Sequence, residues 1–179
     1  GEWLCTEKPD TESLTSVCAQ EKIPIFIPAL ADSSIGIGLL IARRRGLDID
    51  IDQIADADEI TSLVEEAKRT GVIYVGGGVP KNFIQQTQVI GSIHEKDLGG
   101  HQYAIQYTTD APQWGGLSGC TFDEGISWGK ESAGSLQVQV YVDATIALPL
   151  VISALVAGGA ERVKQRKGKK KVVYRQGID

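Results

Sequence analysis

Apolar residues fall along this chain in short continuous runs that alternate with stretches of helical period. Ile23 to Leu30 is a nearly continuous apolar run, as in a strand covered on both faces, although Pro24 and Pro28 each lack a ladder donor. Asp32, Ser33 and Ser34 stop that run with N-cap chemistry, and Ile35 to Ala42 is predicted as a helix. Leu47 to Ile51 alternates apolar and acidic positions and reads as an edge strand or extended loop. The clearest helical pattern follows: Ile60, Leu63, Val64 and Ala67 share one face, Asp56 and Glu59 have capping-box spacing, and Gly71 stands at the stop. Val72 to Val75 is predicted as a buried strand, broken by Gly76, Gly77 and Gly78, with Pro80 in the first turn of a helix running to about Ile90.

Ala104 to Thr108 and Leu136 to Val142 read as further strands, separated by a glycine-rich loop from Asp110 to Gly119. Gly125 to Lys130 fits neither period. Thr145 to Ala157 is apolar all round and predicts a buried helix, too short to span a bilayer. Near the start, Glu12 to Ala19 predicts a helix with Leu14, Val17 and Cys18 on one face. Strand followed by helix, repeated, implies an α/β fold: a mostly parallel sheet with helices on both faces.

Charge changes this picture at one end. The net charge of the 179 residues is −5, but residues 161–179 carry +6, which leaves −11 for residues 1–160. The division is a folded domain over 1–160 and a basic tail over 161–179. An acidic body argues against nucleic acid as a partner and suits a cationic ligand. Cys5, Cys18 and Cys120 are odd in number and lack metal-site spacing, which points to a reducing, cytoplasmic setting. Methionine is absent and the chain begins at Gly1, which suggests a processed or partial chain. His94 and His101 flank Glu95 and Asp97 in what reads as a polar loop, with no standard metal spacing.

In open α/β sheets, ligands bind beyond the carboxyl ends of strands. Three places qualify: Asp32 to Ser34, Gly76 to Gly78, and Asp143 to Thr145. The triple glycine admits a pyrophosphate against a helix N-terminus, or is simply a tight turn. Asp32 and Asp143 either accept from ribose hydroxyls or cap helices. Glu124, Trp128 and Lys130 group a carboxylate, an indole and an amine. A lysine desolvated by tryptophan can lose its proton and attack an imine carbon, while the indole and carboxylate can hold an amine ligand. The alternative is a surface lysine beside a packed tryptophan.

These same stretches resemble the deoxyhypusine synthase family: Pro28 to Gly36 (PALADSSIG), Gly76 to Lys81 (GGGVPK), Asp123 to Lys130 with its SWGK core, and Tyr141 to Thr145 (YVDAT). They stand in the family's order and similar spacing from about residue 20 to 157. The resemblance implies a Rossmann-like NAD-binding fold, and transfer of a 4-aminobutyl group from spermidine through an imine on a lysine. The acceptor is a protein lysine of a translation factor 5A precursor or, giving homospermidine, putrescine. Lys130 matches the imine-forming lysine. Gly77, Gly115, Gly116, Glu124 and Trp128 match the polyamine pocket, in which Asn82 takes a further position, and Asp32, Ser34, Gly76, Gly78, Thr109, Asp110, Asp143 and Ala144 fall at the NAD site. A homo-oligomer, a homotetramer in this family, with sites between subunits is also implied.

Three positions depart from the family pattern. Ile37 and Leu117 stand where it has aspartates, and Asn82 where it has a histidine. Losing carboxylates should weaken binding of a polycation or change which amine is bound. The resemblance covers about the C-terminal half of a usual member, so a non-catalytic NAD-binding subunit, or a half-enzyme needing a partner chain, is the alternative. An ordinary dehydrogenase is a third, and would release NADH without a lysine adduct.

Overall fold

The computed structural model describes residues 2–8, 10–114 and 120–159. The described residues divide into two compact units, one within residues 2–27 and the other within residues 28–159. In the first, α1 (Glu2–Glu7) packs against α2 (Leu14–Glu21). Ser13 caps α2 in a box with Ser16, and Lys22 ends it in the left-handed region at φ 54°. Of the predicted apolar face only Cys18 is buried, together with Ser16, whereas Leu14 and Val17 are exposed.

The second unit holds a single three-stranded parallel sheet in the order β1-β2-β3: β1 (Gly71–Val75), β2 (His101–Thr108) and β3 (Glu131–Tyr141). α5 (Val79–Ile93) connects β1 to β2, and α6 (Phe122–Ser127) lies between β2 and β3. α3 (Ser34–Arg44) and α4 (Gln53–Glu66) precede the sheet, α4 packs on α5, and α7 (Ala144–Ala154) follows β3 and contacts β2. This is the expected α/β, Rossmann-like arrangement. A small apolar core of Tyr74, Ala104 and Phe122, with Val72 and Ile84 against it, sits on one face of the sheet.

Four details differ from the sequence reading. Ile23 to Leu30 forms no strand; it is irregular and ends in a 3₁₀ turn, Leu30–Asp32, because prolines at 24 and 28 cannot serve a ladder. α4 starts earlier than expected, capped by Asp52, whose carboxylate accepts from the amides of Ile54 and Ala55 at 2.9 and 3.0 Å. The His94–His101 segment is not wholly a loop, since His101 is buried and opens β2. α7 was expected to be buried, yet Ile146, Leu150 and Ile152 are exposed and only Ala147 is buried within it. An all-apolar helix needs cover on every side, and the described residues supply it on one.

The start of α3 shows how tightly the Asp32 motif is built. The Ser33 hydroxyl donates to the Leu30 carbonyl at 2.7 Å and accepts from the Gly36 amide at 3.0 Å. A Cβ added at Gly36 would lie 2.1 Å from that same Leu30 oxygen, whereas one at Gly38 would meet nothing within 4 Å. Gly36→Ala should therefore lower Tm by about 5 °C. Gly38→Ala should hold or raise it, since alanine is the better helix former. Thermal unfolding followed by circular dichroism reads both, and equal shifts would contradict the close approach.

Candidate functional site

The site grows from the turn after β1. Gly76 and Gly78 adopt φ +79° and +76°, which side-chain-bearing residues rarely tolerate. Gly78 caps α5 without a side-chain hydrogen bond, and Pro80 sits in the first turn, so the backbone N–H groups of a 15-residue helix open at this turn. A cleft of about 110 Å³ lies against it, lined by Ile73, Tyr74, Gly76, Gly77, Pro80 and Lys81 among others.

Below the turn, the layer between α5 and the sheet is polar. Lys81 is 2% exposed. Its ammonium donates to Gln106 Oε1 at 3.0 Å and to the Cys120 carbonyl, and stands 5.2 and 5.6 Å from the ring centres of Tyr74 and Phe122. Gln106 passes the chain on, its Nε2 donating to the Gly76 carbonyl at 2.9 Å. Deeper in, Glu131 Oε1 accepts from Gln85 Nε2 at 2.7 Å and from the Tyr74 hydroxyl at 3.2 Å. The Cys120 thiol donates to Gln85 Oε1 at 3.4 Å. Thus the glycine turn and the start of β3 are joined through side chains of α5 and two strands.

Electrostatics follow from this burial. Burial pushes the Lys81 pKa down from the ordinary lysine range; Cys120, Glu131 and Glu124 oppose that shift, and the Lys130 ammonium adds to it. Burial, then the Glu131 charge, pushes the Tyr74 phenol far up. Lys81 therefore feels the charges of Glu131, Lys130 and Glu124. Asp143 lies apart from them: hydrogen bonds from the Thr145 side chain and backbone hold its carboxyl below the usual range.

Lys130 follows α6 and directly precedes β3. Its side chain is half-buried, and its Nζ donates to Asn82 Oδ1 at 3.2 Å, one residue past Lys81 in the first turn of α5. The amine expected to react thus meets one predicted pocket residue beside the glycine turn. Trp128, expected to desolvate it, is 70% exposed, so most of the indole faces solvent. Glu124 closes a capping box at α6, accepting from the Thr121 amide at 2.8 Å. Gly115, Gly116 and Leu117 lie outside the described residues.

The other predicted contacts stand at helix starts and strand ends. Asp32 ends the 3₁₀ turn and so follows no strand; Ser34 opens α3; Thr109 and Asp110 follow β2. Asp143 caps α7, accepting from the Thr145 amide and hydroxyl at 2.8 and 2.7 Å, and Ala144 is the first residue of that helix. Among the described residues, no hydrogen bond joins Asp32, Ser34, Asp143 or Ala144 to Lys130. The sequence reading missed Gln85, Gln106 and Glu131 altogether. Lys81, Gln85 and Gln88 recur at i, i+4 and i+7, a polar stripe that would ordinarily mark the solvent face of α5.

Comparison with known proteins now adds to this geometry. A family model described as deoxyhypusine synthase matches residues 1–155. The chain belongs to the deoxyhypusine synthase family. Over 144 residues it is 67% identical to a protein of Methanosarcina acetivorans named "Probable deoxyhypusine synthase 2", covering 80% of this chain and 42% of that one. A protein of the same name from Archaeoglobus fulgidus is 55% identical over 82% of this chain and 48% of its own. A "Deoxyhypusine synthase-like protein" of Elusimicrobium minutum is 36% identical over 100% of this chain and 48% of its own. This deoxyhypusine synthase family chain therefore spans less than half the length of each of these relatives.

The residues at the β1 turn fit a dinucleotide phosphate. A Cβ at Gly76 or Gly78 would meet nothing within 4 Å, so the backbone there is open to approach, and the α5 amides face the same way. The cleft is far smaller than a whole dinucleotide needs. Among the described residues, no helix is long and apolar enough to cross a membrane.

His101 tests the buried layer. Its Nδ1 is 2.8 Å from the Thr70 hydroxyl and 3.4 Å from Gln88 Nε2, and burial lowers its pKa from the ordinary imidazole value. The folded chain therefore resists a proton that the unfolded chain takes up, so this contribution to stability is present above pH about 6.5 and is lost as pH falls below it. Between pH about 7.5 and 5.5, Tm of the wild-type chain should fall more steeply than that of His101→Gln. Parallel slopes in calorimetry would contradict a neutral buried imidazole.

Proposed function

We propose that this chain forms the lysine-bearing part of a transferase that moves a 4-aminobutyl group from spermidine to an acceptor amine. The observation that carries this reading is the Lys130 amine reaching Asn82 beside the Gly76–Gly78 turn. It is supported by membership of a family whose named relatives are deoxyhypusine synthases. Gly76, Gly78, Asp32, Ser34, Thr109, Asp110, Asp143 and Ala144 would hold NAD. When bound, NAD supplies a reversible hydride acceptor that makes the carbon beside the secondary amine of spermidine electrophilic.

The chain's own residues do the rest. Glu124 and Trp128 hold the polyamine, by charge pairing and cation–π attraction, with Gly77 and Asn82 on the same wall. Lys130 Nζ adds through its lone pair to the electrophilic imine carbon; the bond to the departing nitrogen breaks, and 1,3-diaminopropane leaves with the proton that Lys130 gives up. The acceptor amine then displaces Lys130 at the same carbon, and the hydride that NAD took up at the start would return to the resulting imine, leaving no net oxidation. Asn82 Oδ1, an acceptor, fixes the direction of the lysine before attack. The acceptor is either a protein lysine of a translation factor 5A precursor or putrescine, and the setting is the cytoplasm.

A second reading is favoured by specific observations. Ile73 and Val138, aligned across the sheet through Ile105, are exposed, as is most of apolar α7. Together with the small cleft, this supports a chain that completes its site with a partner chain, in a homo-oligomer or a mixed one. Adding that partner would then be required for an adduct to form.

The test is borohydride trapping with spermidine and NAD, followed by peptide mass spectrometry. An adduct on Lys130 is expected, absent in Lys130→Ala and Lys130→Arg while NAD binding persists, because a guanidinium does not form the imine. Trp128→Ala should weaken the apparent affinity for spermidine about tenfold and leave that for NAD unchanged. An adduct retained in Lys130→Arg, or equal losses for both ligands in Trp128→Ala, would overturn these roles.

A further inference from the structure

Glu131 is hard to explain as packing alone. Its side chain is 2% exposed, and of its two oxygens only Oε1 has hydrogen-bond partners, Gln85 and Tyr74. Oε2 has none among the described residues. It lies where a Cβ on Gly125 would come within 1.8 Å, so a side chain there would displace the carboxylate. A buried acid with an unpaired oxygen is costly, and an apolar residue of similar volume would ordinarily serve packing better.

Its position in the chain gives it a task. The preceding residue is Lys130, whose backbone N–H donates to the Gly125 carbonyl at 2.8 Å and whose carbonyl accepts from the His101 amide at 3.0 Å. Beyond Glu131 the ladder fails: between the pairs His101↔Glu131 and Tyr103↔Leu136, β3 advances five residues while β2 advances two. Residues 132–135 therefore bulge out of register and cannot hold the strand start. On that side, the anchors are the Tyr74 hydroxyl from β1 and the Gln85 amide from α5.

We propose that Glu131 is a positioning residue for Lys130, its buried carboxyl tying the start of β3 to Tyr74 and Gln85 so that the lysine leaves the sheet towards Asn82. The inference rests on the reading of Lys130 as the imine-forming amine, but the placement is measurable without that chemistry. Glu131→Ala removes both anchors, Glu131→Gln keeps an oxygen that accepts from them, and Tyr74→Phe removes a single donor while leaving the ring in place.

The experiment pairs two readouts on the full chain. NMR-detected amide exchange at Lys130 and His101 should speed about tenfold in Glu131→Ala, return to near wild type in Glu131→Gln, and speed about threefold in Tyr74→Phe, with Ile105 unchanged throughout. Trapping of the spermidine adduct at saturating amine should slow about tenfold in Glu131→Ala and recover in Glu131→Gln, with the half-saturating spermidine concentration unaltered. Should Glu131→Ala not fold, Tyr74→Phe and Glu131→Gln carry the comparison. Unchanged exchange in the variants, no recovery with glutamine, or equal trapping rates overturns this inference. A wild-type chain that forms no adduct, with or without a partner chain, overturns the function proposed above and leaves the exchange result standing.

Discussion

A buried ammonium under a glycine turn organises the rest of this structure. Lys81 sits between α5 and the sheet with almost no solvent contact, and such a charge is tolerated only when every side of it is answered. Here the answers are a glutamine oxygen, a backbone carbonyl and two ring faces. Each comes from a different element: Gln106 from β2, Cys120 from the approach to α6, Tyr74 from β1 and Phe122 from α6. Satisfying one charge therefore fixes four segments relative to α5, including the segment that leads to Lys130.

The polar layer also accounts for the small apolar core. Between α5 and the sheet, positions that would normally carry leucine or valine carry Gln85, Gln88, Gln106 and Glu131. Hydrogen bonds are directional where apolar contacts are not, so such a layer specifies one arrangement at some expense in stability. That exchange suits a region that holds the Lys130 amine 3.2 Å from the Asn82 amide oxygen. It suits less well a chain expected to stand alone, and the exposed Ile73, Val138 and Leu150 point the same way.

Where hydrophobic period and turn chemistry dominate, the fold was legible in the sequence. β1 and its glycine stop, α5 with Pro80 in its first turn, α3 behind its serine cap, and the parallel α/β order all follow from residues close together in the chain. The failures share a cause, which is that local pattern does not reveal what lies opposite. Ile23 to Leu30 looks like a covered strand until the two prolines deny it a ladder. α7 looks buried because its residues are apolar, though burial depends on what packs there. Glu131 to Ser135 shows no strand alternation because a bulge interrupts the pairing, and the alternation becomes visible only from Leu136.

The candidate site divides along the same line. Motif chemistry singled out the glycine turn and offered Lys130, the family resemblance added Asn82, and the fold brings these together through one hydrogen bond and one helix start. It could not show that Glu124 is engaged in a capping box, that Trp128 stands open to solvent, or that the stripe from Lys81 through Gln85 to Gln88 faces inward. Under the function proposed above, the exposed indole would offer its face to the polyamine, Glu124 would turn from cap to ligand, and exclusion of water from the Lys130 amine would depend on surface that Trp128 does not supply.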